Sequence, residues 1–238
     1  MELKFLGRGA AFNPKEGNTS AFFIENNELF LIDCGETVFS KIIDLNLLNN
    51  IEKVNVMITH SHSDHIGSLS TLCQYVYHTL NKAINIIVKD DNKHYQKIET
   101  ILQMTGCRKE EYNFIDERNF DNKYESFNTI RFKETKHKDI LDCYSIIFET
   151  PNGIIYYSGD TRESTLIEEL INSNQKIDKM YIDTTNNINL SDIHLYLGVL
   201  EKIIPPTLKN QTYCMHFNSD KCIEDVQNSG FNIVEVYK

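Results

Sequence analysis

The sequence has few features that would divide a chain into parts. Its 238 residues contain four prolines and ten glycines, and no segment is rich in proline, glycine or serine. No internal repeat recurs at the spacing typical of solenoids. Since 41% of the residues are apolar, the chain can form a substantial core. We therefore predict one domain that covers residues 1–238.

Long apolar runs are also missing. The N-terminus has no basic region followed by an apolar core and a small-residue cleavage site, so no signal peptide is predicted. No apolar run approaches the length needed to span a bilayer. We accordingly expect a soluble cytoplasmic protein with no membrane partner.

Cysteine pairs and basic clusters are scarce. The six cysteines are widely spaced, and no Cys-x-x-Cys pair suggests a zinc knuckle or a redox dithiol, so most should be reduced core residues. The formal net charge is −10, and the longest basic cluster is Lys136-His137-Lys138. This balance disfavours long nucleic acids as partners without excluding them, because their binding depends on neutralising phosphates.

What the sequence does contain is a dense group of potential metal ligands. The stretch His60-Ser61-His62-Ser63-Asp64-His65 follows an alternating apolar run, 54–58, that is typical of a buried strand. Apolar residues then recur at helical spacing, at Ile66, Leu69, Leu72, Cys73 and Val76. A helix should therefore begin near Ser63 or Asp64, either of which could cap it. Such a turn can direct the first two histidines to one side and Asp64 with the third histidine to the other.

These residue types suit metal chemistry. Imidazole and carboxylate are ligands that Zn²⁺, Mn²⁺ and Fe²⁺ accept. Two such ions about 3.5–4 Å apart can hold a bridging hydroxide for attack on an ester or a phosphate. A loop that merely happens to carry three histidines gives no reason for this spacing at the end of a strand.

The motif His-x-His-x-Asp-His resembles the signature of the metallo-β-lactamase superfamily. The resemblance implies an α/β fold, the four-layer αβ/βα sandwich, with a dinuclear centre for two divalent metal ions, Zn²⁺ or alternatively Mn²⁺ or Fe²⁺. It also implies the ligands: His60, His62 and His137 for one metal, Asp64, His65 and His216 for the other, and Asp160 between them.

Three later positions extend the resemblance over nearly the whole chain. His137 follows a predicted strand, 129–135, and precedes a short hydrophilic loop. Asp160 lies in Ser158-Gly159-Asp160-Thr161 after an apolar strand, although it could instead cap a helix that begins near residue 163. His216 ends a predicted strand, 211–217.

Other candidates come from the resemblance alone. Asp33 follows an apolar strand, as does the family's aspartate that supports the first metal-binding histidines, and a plain strand-end carboxylate is the alternative. Asn18 and Ser20 lie in a Gly-Asn-Thr-Ser segment that resembles one near the family's substrate, with an ordinary loop as the alternative.

His194 is predicted to lie in a helix that opens with residues 192–197. It resembles a non-ligand histidine of phosphodiesterase members that could polarise a phosphoryl oxygen or protonate the leaving alkoxide. A histidine on a helix surface is the alternative. His78 and His94 lack ligand-rich neighbours and are expected to be surface or core residues.

The predicted activity is hydrolysis. His62 stands where diiron relatives carry glutamate, which favours hydrolysis over redox chemistry. Ribonuclease Z-like members carry His-Glu-Ala-Thr where this chain has Asp183-Thr184-Thr185-Asn186, which removes that glutamate. The spacing of the ligands leaves no room for the long basic arm by which ribonuclease Z-like enzymes bind tRNA. No helical domain of the glyoxalase II kind follows His216.

By elimination, the chain looks most similar to small phosphodiesterases of the superfamily. We predict that a metal-bridging hydroxide attacks a small or cyclic phosphodiester, with Asp64 and His194 as catalytic residues. The alternatives are a thioester or lactone hydrolase, or a tRNA- or RNA-processing nuclease without the arm. A sensor without turnover is disfavoured because every ligand position is filled. The expected partner is a small-molecule substrate, and a homodimer is left open.

Overall fold

The computed structural model describes residues 1–89 and 92–238, with residue 92 described by its backbone alone. Twelve strands of this part of the chain form two sheets. The first sheet follows chain order: β1 (Lys4–Gly7), β2 (Ser20–Glu25), β3 (Glu28–Ile32), β4 (Lys53–Met57), β5 (Ile84–Val88) and β6 (Tyr112–Asp116). The second is ordered from β12 to β7: β7 (Thr129–Thr135), β8 (Cys143–Thr150), β9 (Gly153–Tyr157), β10 (Ile177–Asp183), β11 (Thr212–Met215) and β12 (Asn232–Ile233).

Helices cover the outer face of each sheet. The first sheet packs against α1 (Val38–Asp44), α3 (Leu69–Leu80) and α4 (Asn92–Met104), and the four-residue α2 (Ser63–Ile66) precedes α3. The second packs against α5 (Thr165–Asn172), α6 (Leu197–Ile203) and α7 (Asp220–Asn228). The layers are therefore helix, sheet, sheet and helix, which confirms the predicted four-layer αβ/βα sandwich. None of the helices in the described residues is both long and apolar enough to cross a membrane.

An aromatic core fills the space between the sheets. Phe30 is fully buried there and stacks on Phe23 with ring centroids 4.6 Å apart. Its strand neighbours Leu29 and Leu31 belong instead to the cluster beneath the helices. Because side chains alternate along a strand and both faces of β3 are covered, the strand has a continuous apolar sequence. All six cysteines lie in the described residues, where each is buried and outside any disulfide.

The topology brings the candidate residues to one edge. Strands β3 and β4 are parallel, as are β9, β10 and β11, so their carboxyl ends lie together within each sheet. In open sheets of this kind, sites form outside the carboxyl ends of the strands. These ends and the loops after them carry Asp33, His60, Asp160, Asp183 and His216. Side chains from the two sheets meet across this edge, since His216 Nε2 lies 3.2 Å from Asp64 Oδ2.

The helix after the histidine motif differs from the prediction. It is divided into α2 and α3, and His62 rather than Ser63 or Asp64 occupies the N-cap position, with no side-chain cap bond. A side chain at Gly67 would meet the Ser63 carbonyl oxygen at 2.4 Å, so glycine permits the tight break. The Ser68 amide donates to the Cys34 carbonyl oxygen in the loop after β3, which links the break between α2 and α3 to the first sheet.

Two other helix boundaries also differ. The helical spacing of Val38, Ile42, Leu45 and Leu48 predicts a helix over residues 36–48, whereas α1 ends at Asp44 and is followed by turns. The helix predicted to open with residues 192–197 begins only at Leu197. The backbone before it pairs with Thr185 instead of forming a helical turn, since Thr185 N donates to Leu195 O and Leu197 N donates to Thr185 O. His194 therefore lies in a loop, which corrects its predicted placement on a helix.

Candidate dinuclear metal site

The first ligand group joins the histidine motif to the loop after β7. His60 Nε2 lies 3.0 Å from His62 Nδ1, which is 3.3 Å from His137 Nε2. The other ring nitrogen of His137 lies 2.6 Å from the Ile193 carbonyl oxygen, to which it must donate. In a neutral imidazole this leaves Nε2 of His137 with a lone pair. Ring nitrogens that face one another at such distances suit a shared cation.

The second group lies beside the first. His65 and His216 are buried, with 1% and 4% exposure, and their Nε2 atoms lie 3.4 and 3.2 Å from Asp64 Oδ2. Asp33 holds the opposite ring nitrogen of His65 at 2.8 Å. Nε2 of His65 is buried and has no hydrogen-bond partner in the described chain. A hydrogen bond to one ring nitrogen that leaves the other free is typical of a metal-bound histidine.

Asp160 faces both groups. Its Oδ2 lies 3.8 Å from His60 Nε2 and 3.7 Å from His137 Nε2. Its Oδ1 lies 3.2 Å from His65 Nε2 and 3.5 Å from His216 Nε2. One carboxylate thus directs an oxygen to each group. The alternative that Asp160 caps a helix is wrong, because Ser164 occupies the N-cap of α5.

The loop around Asp160 depends on a glycine. Gly159 has a φ of +58°, in the left-handed region that favours glycine. A Cβ there would lie 2.6 Å from the Tyr144 carbonyl oxygen and 3.1 Å from the Thr59 Cβ. Because Thr59 immediately precedes the histidine motif, this close contact holds the Asp160 loop against it.

The electrostatics of the group fit cations. Burial raises the pKa of Asp160, but the neighbouring His216 and His65 outweigh it and hold that pKa well below its usual range. Burial lowers the pKa of His216, whereas the charge of Asp160 and hydrogen bonds to Asp183 and Asp64 raise it to about 10. The carboxylates thus favour positive charge inside the cluster. Divalent cations can replace those protons, because metal binding to such ligands releases them.

All seven predicted ligands are therefore brought together. They form two groups that share Asp160, with the ligand atoms of each group within 4.8 Å of one another: His60, His62, His137 and Asp160, and Asp64, His65, Asp160 and His216. This donor set fits two divalent cations of the kinds that accept imidazole and carboxylate.

Asp33 has a somewhat different role from the one predicted. Its carboxylate accepts bonds from the Thr59 amide at 2.7 Å and the Thr59 hydroxyl at 2.9 Å, besides its contact with His65. It therefore supports a ligand of the second group directly. Its support of the first group is indirect, since the Thr59 hydroxyl lies 3.1 Å from His60 Nδ1.

The structure does not support substrate contacts by Asn18 and Ser20. Both side chains are buried. The Asn18 side-chain Oδ1 accepts from the Thr37 amide at 2.8 Å, and the Ser20 hydroxyl donates to the Asp33 backbone carbonyl at 2.8 Å. Their partners are the chain's own backbone, so they shape the loops around the site. The alternative of turn-stabilising side chains describes them better.

His194 lies between the two groups. Its ring centroid is 5.0 Å from those of His137 and His216, and its Nδ1 lies 3.9 Å from Asp160 Oδ2. Its side chain is 13% exposed, so the alternative of a helix-surface histidine is wrong. His78 and His94 lie outside both ligand groups, the first on the surface and the second buried.

Asp183 is the site residue that the sequence analysis missed. It is fully buried, and its Oδ2 accepts from His194 Nδ1 at 2.8 Å and from the Thr161 amide at 3.1 Å. Its Oδ1 lies 3.4 Å from His216 Nδ1. The segment that stands in place of His-Glu-Ala-Thr in this chain therefore still contributes a carboxylate to the site. Its position at a strand end is the sequence feature that could have identified it, since β10 ends at Asp183 and β3 is directly followed by Asp33.

A cavity of about 390 Å³ opens over the site. Ligand residues of both groups and His194 line it. Its other walls are apolar and polar side chains: Ala10, Ala11, Phe12, Leu190 and Ile193, and Ser63, Lys138, Thr185 and Asn218. Phe12 stands out because its side chain is 99% exposed.

Known proteins are similar to this chain in sequence. The Anti-Pycsar protein Apyc1 of Paenibacillus harenae is 28% identical over 173 residues, which cover 68% of each chain. Ribonuclease Z of Methanococcus aeolicus is 35% identical over 106 residues, which cover 44% of this chain and 32% of that enzyme. The latter match therefore spans only about a third of its relative.

Solved structures extend the likeness in fold. The metallo-β-lactamase fold protein YhfI of Bacillus subtilis superposes with a TM-score of 0.70 at 17% identity, over 99% of this chain and 95% of that one. A diphosphatase of the PhnP family gives a TM-score of 0.71 at 15% identity, with the same coverage. The model of the family described as Anti-Pycsar protein Apyc1 matches residues 1–236. The chain therefore belongs to the Anti-Pycsar protein Apyc1 family and is a hydrolase of the metallo-β-lactamase fold.

Proposed function

We propose that the chain hydrolyses a small phosphodiester, cyclic or linear, with the help of two divalent cations. The observation that carries the proposal is the convergence of seven ligand side chains into two groups that share Asp160. His60, His62 and His137 would hold one cation, and Asp64, His65 and His216 the other. When bound, the two cations would neutralise charge on the phosphoryl oxygens and lower the pKa of a water molecule to provide the nucleophile.

His194 would act on the leaving oxygen. Its Nδ1 donates to Asp183, so Nε2 is the ring atom left for a substrate. The residue also lines the cavity over both ligand groups. A positioned histidine at that point can transfer a proton to the departing alkoxide.

Three observations support a small phosphodiester over the alternatives. The cavity of about 390 Å³ has the size of a small-molecule site. The net charge of −10 is poorly suited to a long nucleic acid. The names of two relatives, ribonuclease Z and a diphosphatase, refer to the cleavage of P–O bonds rather than thioesters or lactones.

The direct test compares three substrates. Protein reconstituted separately with Zn²⁺ and with Mn²⁺ is assayed on bis(p-nitrophenyl) phosphate, a thioester and a lactone. We expect phosphodiester turnover that is abolished in Asp64→Ala and falls about 10²- to 10⁴-fold in His194→Ala, the usual range for loss of an acid–base group. His78→Ala is the matched control, because its ring lies outside the site and is 58% exposed. Turnover on the thioester or lactone alone would overturn the proposal.

Phe12 should affect substrate binding more than turnover. It lines the cavity with an exposed ring, and aromatic contacts contribute about 0.5–1.5 kcal/mol beyond area burial. We therefore expect Phe12→Ala to raise KM for bis(p-nitrophenyl) phosphate about 2- to 10-fold, with kcat nearly unchanged. Met104→Ala removes a side chain that is 84% exposed but does not line the cavity, and it should leave KM unchanged. Equal KM values in both variants would contradict the expectation.

A further inference from the structure

Arg162 connects three loops around the site. Its Nη2 donates to the Asp139 carboxylate at 2.6 Å, and its Nη1 donates to the Asp192 carbonyl oxygen at 3.1 Å. Its own amide donates to the Lys136 carbonyl oxygen at 2.7 Å. Arg162, which lies in the loop after β9, thus links this loop to the loop after β7 and to the loop before α6.

Arg162 and both partners of its guanidinium lie two residues from a side chain of the candidate site. Arg162 follows Asp160 by two positions, and its partner Asp139 follows His137 by two. Its other partner, Asp192, precedes His194 by two. The guanidinium therefore fixes the spacing between the carboxylate shared by the two groups, a ligand of the first group and the proposed proton donor.

The contact with the loop before α6 is also next to a bond that orients a ligand. The Ile193 carbonyl, which accepts from His137 Nδ1 at 2.6 Å, directly follows the Asp192 carbonyl held by Arg162. Movement of this segment would displace both the acceptor of His137 and the ring of His194. Ile193 also lines the cavity, so the wall of the site would move with it.

We propose that Arg162 is a positioning residue that locks these three loops in the arrangement needed for turnover. The inference rests on the proposed function, because it concerns the rate of hydrolysis at the same site. The ion pair itself is exposed, with Asp139 at 82%, and pairs of this kind add little to stability. Lysine cannot replace arginine here, since an ammonium lacks the planar fork that donates in two fixed directions.

The test is Arg162→Lys, assayed on whichever ester the wild-type protein turns over. We expect kcat/KM to fall about 10- to 100-fold, because a misplacement of about 1 Å costs up to that much. Metal content and the midpoint of thermal unfolding should stay at wild-type values. The matched control is Arg131→Lys: Arg131 is 31% exposed against 29% for Arg162, and it also binds an aspartate and a carbonyl. It does not line the cavity and should keep full activity.

A second variant guards against misfolding of the first. Asp139→Asn alters only an exposed carboxylate and should lower kcat/KM by a smaller factor than Arg162→Lys. The double variant should be no worse than Arg162→Lys alone, because both changes disturb one interaction. Wild-type kcat/KM in Asp139→Asn, or equal kcat/KM in Arg162→Lys and Arg131→Lys, would overturn the proposal. Because the assay uses any ester that the wild type cleaves, a wrong substrate class would not affect this test.

Discussion

Asp160→Asn is expected to reduce hydrolysis at least 10³-fold and to lower the metal content below two ions per chain. Asparagine keeps the size of the side chain but offers one neutral oxygen in place of two charged ones. Its amide nitrogen would then face one of the two ligand groups, where it repels a cation. The other group keeps an oxygen that is now neutral instead of charged, so the binding of both cations should weaken. Metal content measured by mass spectrometry beside kcat/KM checks the result.

The size of this effect follows from the position of Asp160. It belongs to both groups of ligands, and it is 2% exposed. Removing a ligand such as His62 affects the first group alone. Asp142→Asn is a suitable control, since Asp142 pairs with Lys97 at a side-chain exposure of 34% and lies outside the ligand groups. Two bound ions in Asp160→Asn, with activity retained, would remove Asp160 from the site.

The elements that carry the ligands could be predicted from the sequence. Strand β7, which precedes His137, has the predicted bounds 129–135, because polar and apolar residues alternate from Thr129 to Lys133. The ligands follow directly, since His60, Asp160 and His216 each come soon after a buried strand. Parallel strands then bring these loops to a common edge without further information.

Long-range contacts could not be predicted in this way. Asp183 is a strand-end carboxylate, and the same pattern fits a side chain that faces solvent. Its role depends on partners that are distant along the chain, which local periodicity does not report. The apolar residues after His194 are spaced as in a helix, whereas the backbone of residues 195 and 197 bonds to Thr185 instead.

The backbone conformation at the site is a second feature that could not be predicted from the sequence. Asp33 and His216 both have a φ of +63°, which non-glycine residues rarely adopt. Each directly follows a strand, β3 or β11. The left-handed turn ends the strand and directs the side chain toward the ligand groups. Such strained positions are maintained by surrounding contacts, here the bonds of Asp33 to Thr59 and His65.

Asp183→Asn is expected to lower kcat/KM about 10- to 100-fold, the range found when partners of metal ligands are changed. Aspartate accepts from His194 Nδ1 and directs its other oxygen toward His216 Nδ1, and an amide cannot offer an oxygen to both rings. The unmatched groups would be buried, so the free energy of unfolding should also fall by about 1–3 kcal/mol. Kinetics and urea unfolding of the same preparation give both values.

A comparison with Asp33→Asn separates the two roles of Asp183. Asp33 is equally buried, but His65 is the one site histidine that its carboxylate contacts in the described chain, so its variant should lose metal affinity. If Asp183 acts mainly through His194, Asp183→Asn should keep two ions and have little further effect on kcat/KM in a His194→Ala background. If it acts mainly through His216, the two changes should add and metal content should fall. Wild-type kcat/KM in Asp183→Asn would exclude both routes, because each requires the carboxylate to hold a histidine in place.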